Sequence, residues 1–264
     1  MPEGRVNQYE RAFRAWPLLT TTAANHSTVT YAGLADHLHI HPRPIRYVLG
    51  VIQDWCLREK KPPLTILVVS QSRHQPGQGF IAWDVNDLEE GYAQVYSFRW
   101  EDLPNPFQFA DEGTTLDELA QRLVTQPEDA ADVYQQVKNR GFAQVVFRLA
   151  LLTAYRQRCA FCGLSLTDAL QASHIIPWSM ASPAQRVSTS NGLLLCSTHH
   201  ALFDADILSI TTDHRITCLP AKVPGHHWTD ADRRAAVALD GQPVALPADT
   251  RLRPSATALA YRAT

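Results

Sequence analysis

The chain has 264 residues, 45% of them hydrophobic and 19% charged, which suits one large or two ordinary globular domains. No apolar run approaches the ~20 residues needed to cross a bilayer. The opening MPEGRVNQYERAFRAW also carries charges where a secretory signal needs an apolar core, so a cytoplasmic protein without a membrane partner is expected. A formal net charge of −2 argues against a uniformly basic nucleic-acid binder and leaves room only for a local basic patch.

Residues 8–23 repeat apolar side chains at helical spacing. TYAGLADHL (30–38) reads as a short helix opening at a threonine cap, and HPRPIRYVLGVIQDWCLREK (41–60) as a second helix after a proline turn. Beyond Pro62 and Pro63, LTILVVS (64–70) reads as a buried strand, followed by the Gly- and Pro-rich turn SRHQPGQGF (72–80) and another strand. Residues 92–108 read as a last strand and a turn, with Trp83, Trp100 and Phe107 as core aromatics. This order of helix, turn, helix, strand, loop and strand is that of a winged helix, which sets its second helix on DNA. Over residues 28–80, TYAGLA, PRPIRYVLG and LVVSQSRHQPGQGF resemble the DNA-binding domain of O6-alkylguanine alkyltransferases and alkyltransferase-like proteins. The resemblance implies that Tyr31, Arg43 and Arg46 lie near duplex DNA, Arg46 at the start of a helix able to enter a groove. It fails where alkyl transfer would need it: the Pro-Cys-His-Arg run is missing, the matching stretch reads PPLTILVV, and Cys56 falls on a helix well before it.

Residues 110–117 are acidic, with Gly and Thr, and read as a linker; helices are expected at 116–124, 127–140 and 142–155, the last delivering the chain to Cys159. Two short pairs follow, Cys159-x2-Cys162 and Cys196-x2-His199. Thiolates and an imidazole on two tight turns can converge on one tetrahedral zinc with no open position, and Gly163 supplies a turn beside the first pair. Cysteines grouped as metal pairs suit a reducing compartment. Cys56 and Cys218 have no such partners and read as core residues.

A second set is threaded through the first: Ser173-His174-Ile175, Asn191, His200 and, four residues on, Asp204. With its zinc pairs, the stretch from about 140 to 215 resembles the HNH, or ββα-metal, nucleases, in the branch braced by a zinc knuckle. That resemblance places HIIPW and GLLLC on strands and STHHALFD on a helix, with His174 as general base and Asn191 holding it. His200 and Asp204, spaced i and i+4 on one helix face, would ligate Mg2+ or Mn2+. His199 points about a hundred degrees away from His200, toward the zinc. Many members carry Asp or His immediately before the base; this chain has Ser173, a weak neutral ligand, so the catalytic cation is expected to bind loosely without substrate. Arg140, Arg148, Arg156 and Arg158 lead into the knuckle and Arg186 precedes Asn191, forming a basic approach, with Arg186 a DNA contact. Beyond the site, ILSI and RITCL flank TTDH as a hairpin, and residues 228–262 read as one or two short helices.

The expected fold is α+β, in three parts: a winged-helix-like DNA-reading module at 1–109, a helical linker at 110–139, and a zinc-braced HNH domain at 140–264. The expected function is metal-dependent DNA cleavage by a restriction or defence nuclease, possible as a homodimer, on foreign or modified DNA. A zinc-containing DNA-binding regulator and a lesion-directed nicking enzyme are the alternatives.

Overall fold

Helix α1 (Gln8–Ala24) begins where the Asn7 side chain accepts the backbone N–H groups of Tyr9 and Glu10, two donors that have no partner inside the helix. The same amide donates to the carbonyls of Gly113 and Thr114, tying the helix start to the end of its own unit. The computed structural model describes residues 6–77, 79–84 and 87–262 and divides into two units, Met1–Thr115 and Leu116–Thr264.

In the first unit Thr30 caps α2 (Tyr31–Leu38) by accepting the Gly33 N–H, as the sequence suggests, and α3 (Ile45–Arg58) follows the proline turn. Trp16 of α1 meets Trp55, Trp100 and Phe107 edge to face at 5.2, 5.7 and 5.8 Å, a packing that suits the ring quadrupoles. Trp100 and Phe107 are therefore core residues; Trp83 is half-buried and donates to the Asp87 carbonyl.

Two strand assignments are corrected. LTILVVS forms a 3-10 turn at Leu64–Leu67, and only β2 (Val68–Val69) is extended, pairing in parallel with β1 (Val29–Thr30). Every side chain from Leu64 to Val69 is buried, and a run apolar on all sides does not distinguish a helical turn from a strand. Residues 92–97 belong to α4 (Leu88–Ser97), whose first turn carries Glu89 and Glu90 at the positive end of the helix dipole; Trp100–Asp102 is a 3-10 turn. No strand follows the 72–80 turn among the described residues, Gln78 lying outside them. Helices α2 and α3 are present on either side of the proline turn, and of the expected wing strands only Val68–Val69 is found among the described elements.

In the second unit α5 (Leu116–Thr125) packs against α7 (Arg140–Ala154), and α6 (Ala130–Val137) lies between them in sequence. Asn139 caps α7 by accepting from Gly141 and Phe142. β3 (Leu170–His174) and β4 (Gly192–Cys196) pair antiparallel, Leu170 opposite Cys196 and His174 opposite Gly192, and the chain turns directly into α8 (Ser197–Asp204). HIIPW is corrected in position: the strand ends at His174 and residues 175–178 bend away, because Pro177 has no N–H to give a ladder. β5 (Leu208–Ile210) and β6 (Ile216–Cys218) form the expected hairpin, and α9 (Asp230–Ala235) and α10 (Ala256–Arg262) lie in the tail. The class is α+β.

Candidate active site

The ligand atoms of Cys159, Cys162, Cys196 and His199 all lie within 4.8 Å of one another. His199 Nδ1 is 3.2 Å from the Cys196 sulfur and 3.5 Å from that of Cys159, and the Cys162 and Cys196 sulfurs are 4.0 Å apart. Those separations suit the edges of a zinc tetrahedron, about 3.8 Å for bonds of about 2.3 Å. Gly163 follows at φ +74°, a left-handed turn that closes the knuckle through its N–H to the Cys159 carbonyl. A bond from Ala160 N–H to the Leu194 carbonyl fastens the knuckle to β4. His199 Nε2 bonds the Ala235 carbonyl, which fixes the proton there and leaves Nδ1 as the ligand.

The thiols do not titrate alike. Burial opposes ionisation of Cys159, but in the metal-free cluster a His199 ring protonated at both nitrogens, donating from Nδ1, together with the backbone N–H groups of Cys162, Cys196 and Phe161, outweighs it and draws the pKa to about 6. Burial pushes Cys162 up to about 12 and raises Cys196 as well, the negative charge of Cys159 adding to both. Alone, the cluster favours one thiolate; a dication is what offsets the mutual repulsion of three, so the donor set fits a closed structural metal.

At the opposite end of β4 from Cys196, Gly192 lets α7 approach: a Cβ there would meet the Phe147 ring at 2.5 Å. That ring stacks on the His174 imidazole, centroids 4.1 Å apart, and Trp178 meets the imidazole edge-on at 5.8 Å. His174 Nε2 lies 2.9 Å from the Arg186 carbonyl, which can only accept, so the proton sits on Nε2 and Nδ1 carries the free lone pair. Burial lowers the pKa of His174 from its ordinary 6.5, with the Arg140 charge acting in the same direction; the Arg186 carbonyl and the Asp204 carboxylate oppose them.

Asn191 does not touch the imidazole. Its Oδ1 accepts the Ile176 N–H at 2.8 Å, and its Nδ2 donates to the carbonyls of Ile176 and Gln185, both at 3.1 Å. It holds the backbone just after the base and next to Arg186, whose carbonyl meets the imidazole. On α8, His200 Nδ1 and Asp204 Oδ2 are 3.5 Å apart and both side chains are partly exposed, so they can share one cation while leaving positions open for water and substrate. Ser173 is buried, and its hydroxyl has no hydrogen-bond partner among the described residues.

The basic approach is uneven. Arg148 is spent on the carbonyls of Leu170 and Thr167. Arg140 and Arg186 instead lie near the base, each guanidinium against the Trp178 ring. In the first unit, Tyr31 and Arg46 line a cavity of about 80 Å3 with Gln53, Thr65 and Phe80, and Arg43 is exposed at the turn before α3. The sequence gives little warning of Phe147, Trp178 and Tyr134 around His174. Phe147 reads only as one residue of a buried helix face, and Trp178 as one more apolar residue of HIIPW.

Residues 159–211 match the family model described as HNH endonuclease. Among solved structures, a "Modification dependent TagI restriction endonuclease" is similar at 21% identity over 43% of this chain, with a TM-score of 0.29. The match spans 35% of that protein, about a third of its length. No curated protein matches the chain.

Proposed function

Because residues 159–211 match the HNH endonuclease model, we propose that the chain cuts duplex DNA by metal-dependent hydrolysis, as a restriction or defence nuclease acting on foreign or modified DNA in the cytoplasm. The observation that carries this reading is the arrangement of His174: Nε2 is bonded to the Arg186 carbonyl, Nδ1 has no hydrogen-bond partner among the described residues, and the Asp204 charge raises the ring's proton affinity.

In this reading His174 Nδ1 takes the proton from the attacking water, the water oxygen bonds to phosphorus as the bond to O3′ breaks, and a 5′-phosphate is left. Asn191 fixes the backbone at Ile176 and Gln185, so the base cannot drift as it gains charge. Burial keeps the imidazole neutral and ready to accept at neutral pH. His200 and Asp204 would hold Mg2+ or Mn2+, which supplies charge neutralisation at the phosphate and the leaving oxygen. Zinc at the knuckle supports the fold alone. The N-terminal module, about residues 1–109, presents Tyr31, Arg43 and Arg46 to the duplex and selects the target, while residues 140–264 cut. Paired cuts on opposite strands would come from a homodimer.

Supercoiled plasmid incubated with Mg2+ or Mn2+ tests the reading. Nicked and linear products are expected from the native chain, and a loss of about a hundred- to ten-thousand-fold from His174→Ala. Cleavage that survives His174→Ala unchanged would sink it. Assays on unmodified, methylated and hydroxymethylated DNA, with products sequenced, define the target.

A further inference from the structure

We infer that Arg140 and Arg186, mounted on the Trp178 indole, form a clamp for the phosphates flanking the cut on the strand that His174 attacks. The inference rests on the nuclease reading for its substrate. Its grounds are geometric and lie outside the His174, His200 and Asp204 set.

The guanidinium carbon of Arg140 is 5.4 Å from the centre of the Trp178 ring and that of Arg186 is 5.1 Å from it. Their separation cannot exceed the sum of those distances, which is within the reach of neighbouring phosphates on one strand. The indole in turn meets the His174 imidazole edge-on. Neither arginine has a carboxylate partner among the described residues. Two cations without carboxylate partners against one aromatic ring repel each other, and an anion bound by both would relieve that repulsion.

Arg186 is held in place on two sides. Its Nε donates to the Trp178 carbonyl and its Nη1 to the Tyr134 hydroxyl, with the guanidinium also over the Tyr134 ring, which leaves Nη2 for a ligand. The backbone carbonyl of this residue is the one that orients His174. A phosphate bound by the Arg186 side chain is thus registered against the base through a single residue.

Arg140 pays a cost where it stands. It is exposed and is the first residue of α7, whose first turn holds no acidic group, so its charge sits at the positive end of the helix dipole. A residue chosen for helix stability alone would not be cationic there.

The test compares the native chain with Arg140→Gln, Arg140→Lys and Trp178→Leu. A labelled short duplex, titrated without Mg2+ over a range of NaCl concentrations, reads the phosphate contacts directly. Arg140→Gln should lower the slope of log Kd against log salt by about one and raise KM about tenfold, with a smaller change in kcat. Arg140→Lys should restore most of the slope, and Trp178→Leu should raise KM although every charge is retained. Thermal melting should show Arg140→Gln no less stable than the native chain. An unchanged slope and KM in folded Arg140→Gln would overturn the clamp. The binding arm needs no turnover, so a native chain that binds duplex without cutting it would defeat the nuclease reading and leave the clamp to be judged by its slope.

Discussion

His199 and His200 are adjacent on one helix and belong to different kinds of site. His199 is buried, bonded at Nε2 to a carbonyl and surrounded by three sulfurs; His200 is partly exposed and has one carboxylate beside it. The first site offers four donors and no opening, the second two donors and room for water and substrate. A helix turn of about a hundred degrees per residue is enough to separate a group that lies among the sulfurs from one that, in the proposed reading, faces the reaction. The contrast is also one of cost: a closed site is part of folding, whereas an open one can be emptied without unfolding anything.

The largest effect follows from that contrast. His199→Ala, or Cys196→Ser, should release zinc and unfold residues 116–264, because a structural zinc contributes on the order of 10 kcal/mol to a small domain. Zinc analysis of the native chain should find one ion per chain, and circular dichroism should show the variant losing its helices. A His199→Ala chain that keeps its melting temperature would erase the distinction between the sites.

His200→Ala sharpens the same comparison from the other side. This variant should fold, keep its zinc and melt near the native temperature, while cleavage falls at least a hundredfold and Asp204→Asn requires more Mg2+ for half-maximal rate. Plasmid nicking against metal concentration, with zinc content measured on the same samples, reads both. Equal zinc loss in His199→Ala and His200→Ala would place the two histidines in one site.

The two sites were not equally legible in the sequence. The knuckle was, because each pair is closed by a turn of two residues and the ligand types declare themselves at short range. His200 and Asp204 followed from helical spacing. Asn191 was recognised but its partner was not: its amide reaches Ile176, 15 residues away, and no local pattern encodes that bond. The same limit hid Phe147, which becomes a wall for His174 only when α7 meets β4 at Gly192; Trp178 is close in sequence, but it meets the imidazole only because the chain bends after His174 instead of continuing as a strand. In the first unit the ambiguity is one of period: Leu64–Leu67 is buried on every side and fits a helical turn as well as a strand, and in Tyr92–Ser97 only Val95 is buried, which favours neither period.

Asn191→Ala should cost about 1–3 kcal/mol, because it strands the Ile176 N–H and two carbonyls in a buried place. Asn191→Asp should be no better: a carboxylate accepts from Ile176 but cannot donate to either carbonyl. Melting and cleavage should fall together, since the amide acts on the base through the backbone. An Asp variant as stable as the native chain would remove the donor half of that account.

The smallest effect is a displacement of the pH profile. A base must be neutral to accept a proton, so the rate falls as the solution is acidified through the folded-state pKa of His174. Burial lowers that pKa below 6.5, with Arg140 contributing in the same direction, and the acid limb of kcat/KM should therefore have its midpoint below 6.5. Phe147→Leu takes away the stacked ring, admits water to the imidazole and weakens the desolvation that is the largest cause of the shift. Its acid limb should move up toward 6.5, while the zinc content stays at one per chain because the knuckle lies at the other end of β4. A limb that stays in place in a folded, zinc-loaded Phe147→Leu chain would mean that the ring beneath His174 orients the base without setting its proton affinity.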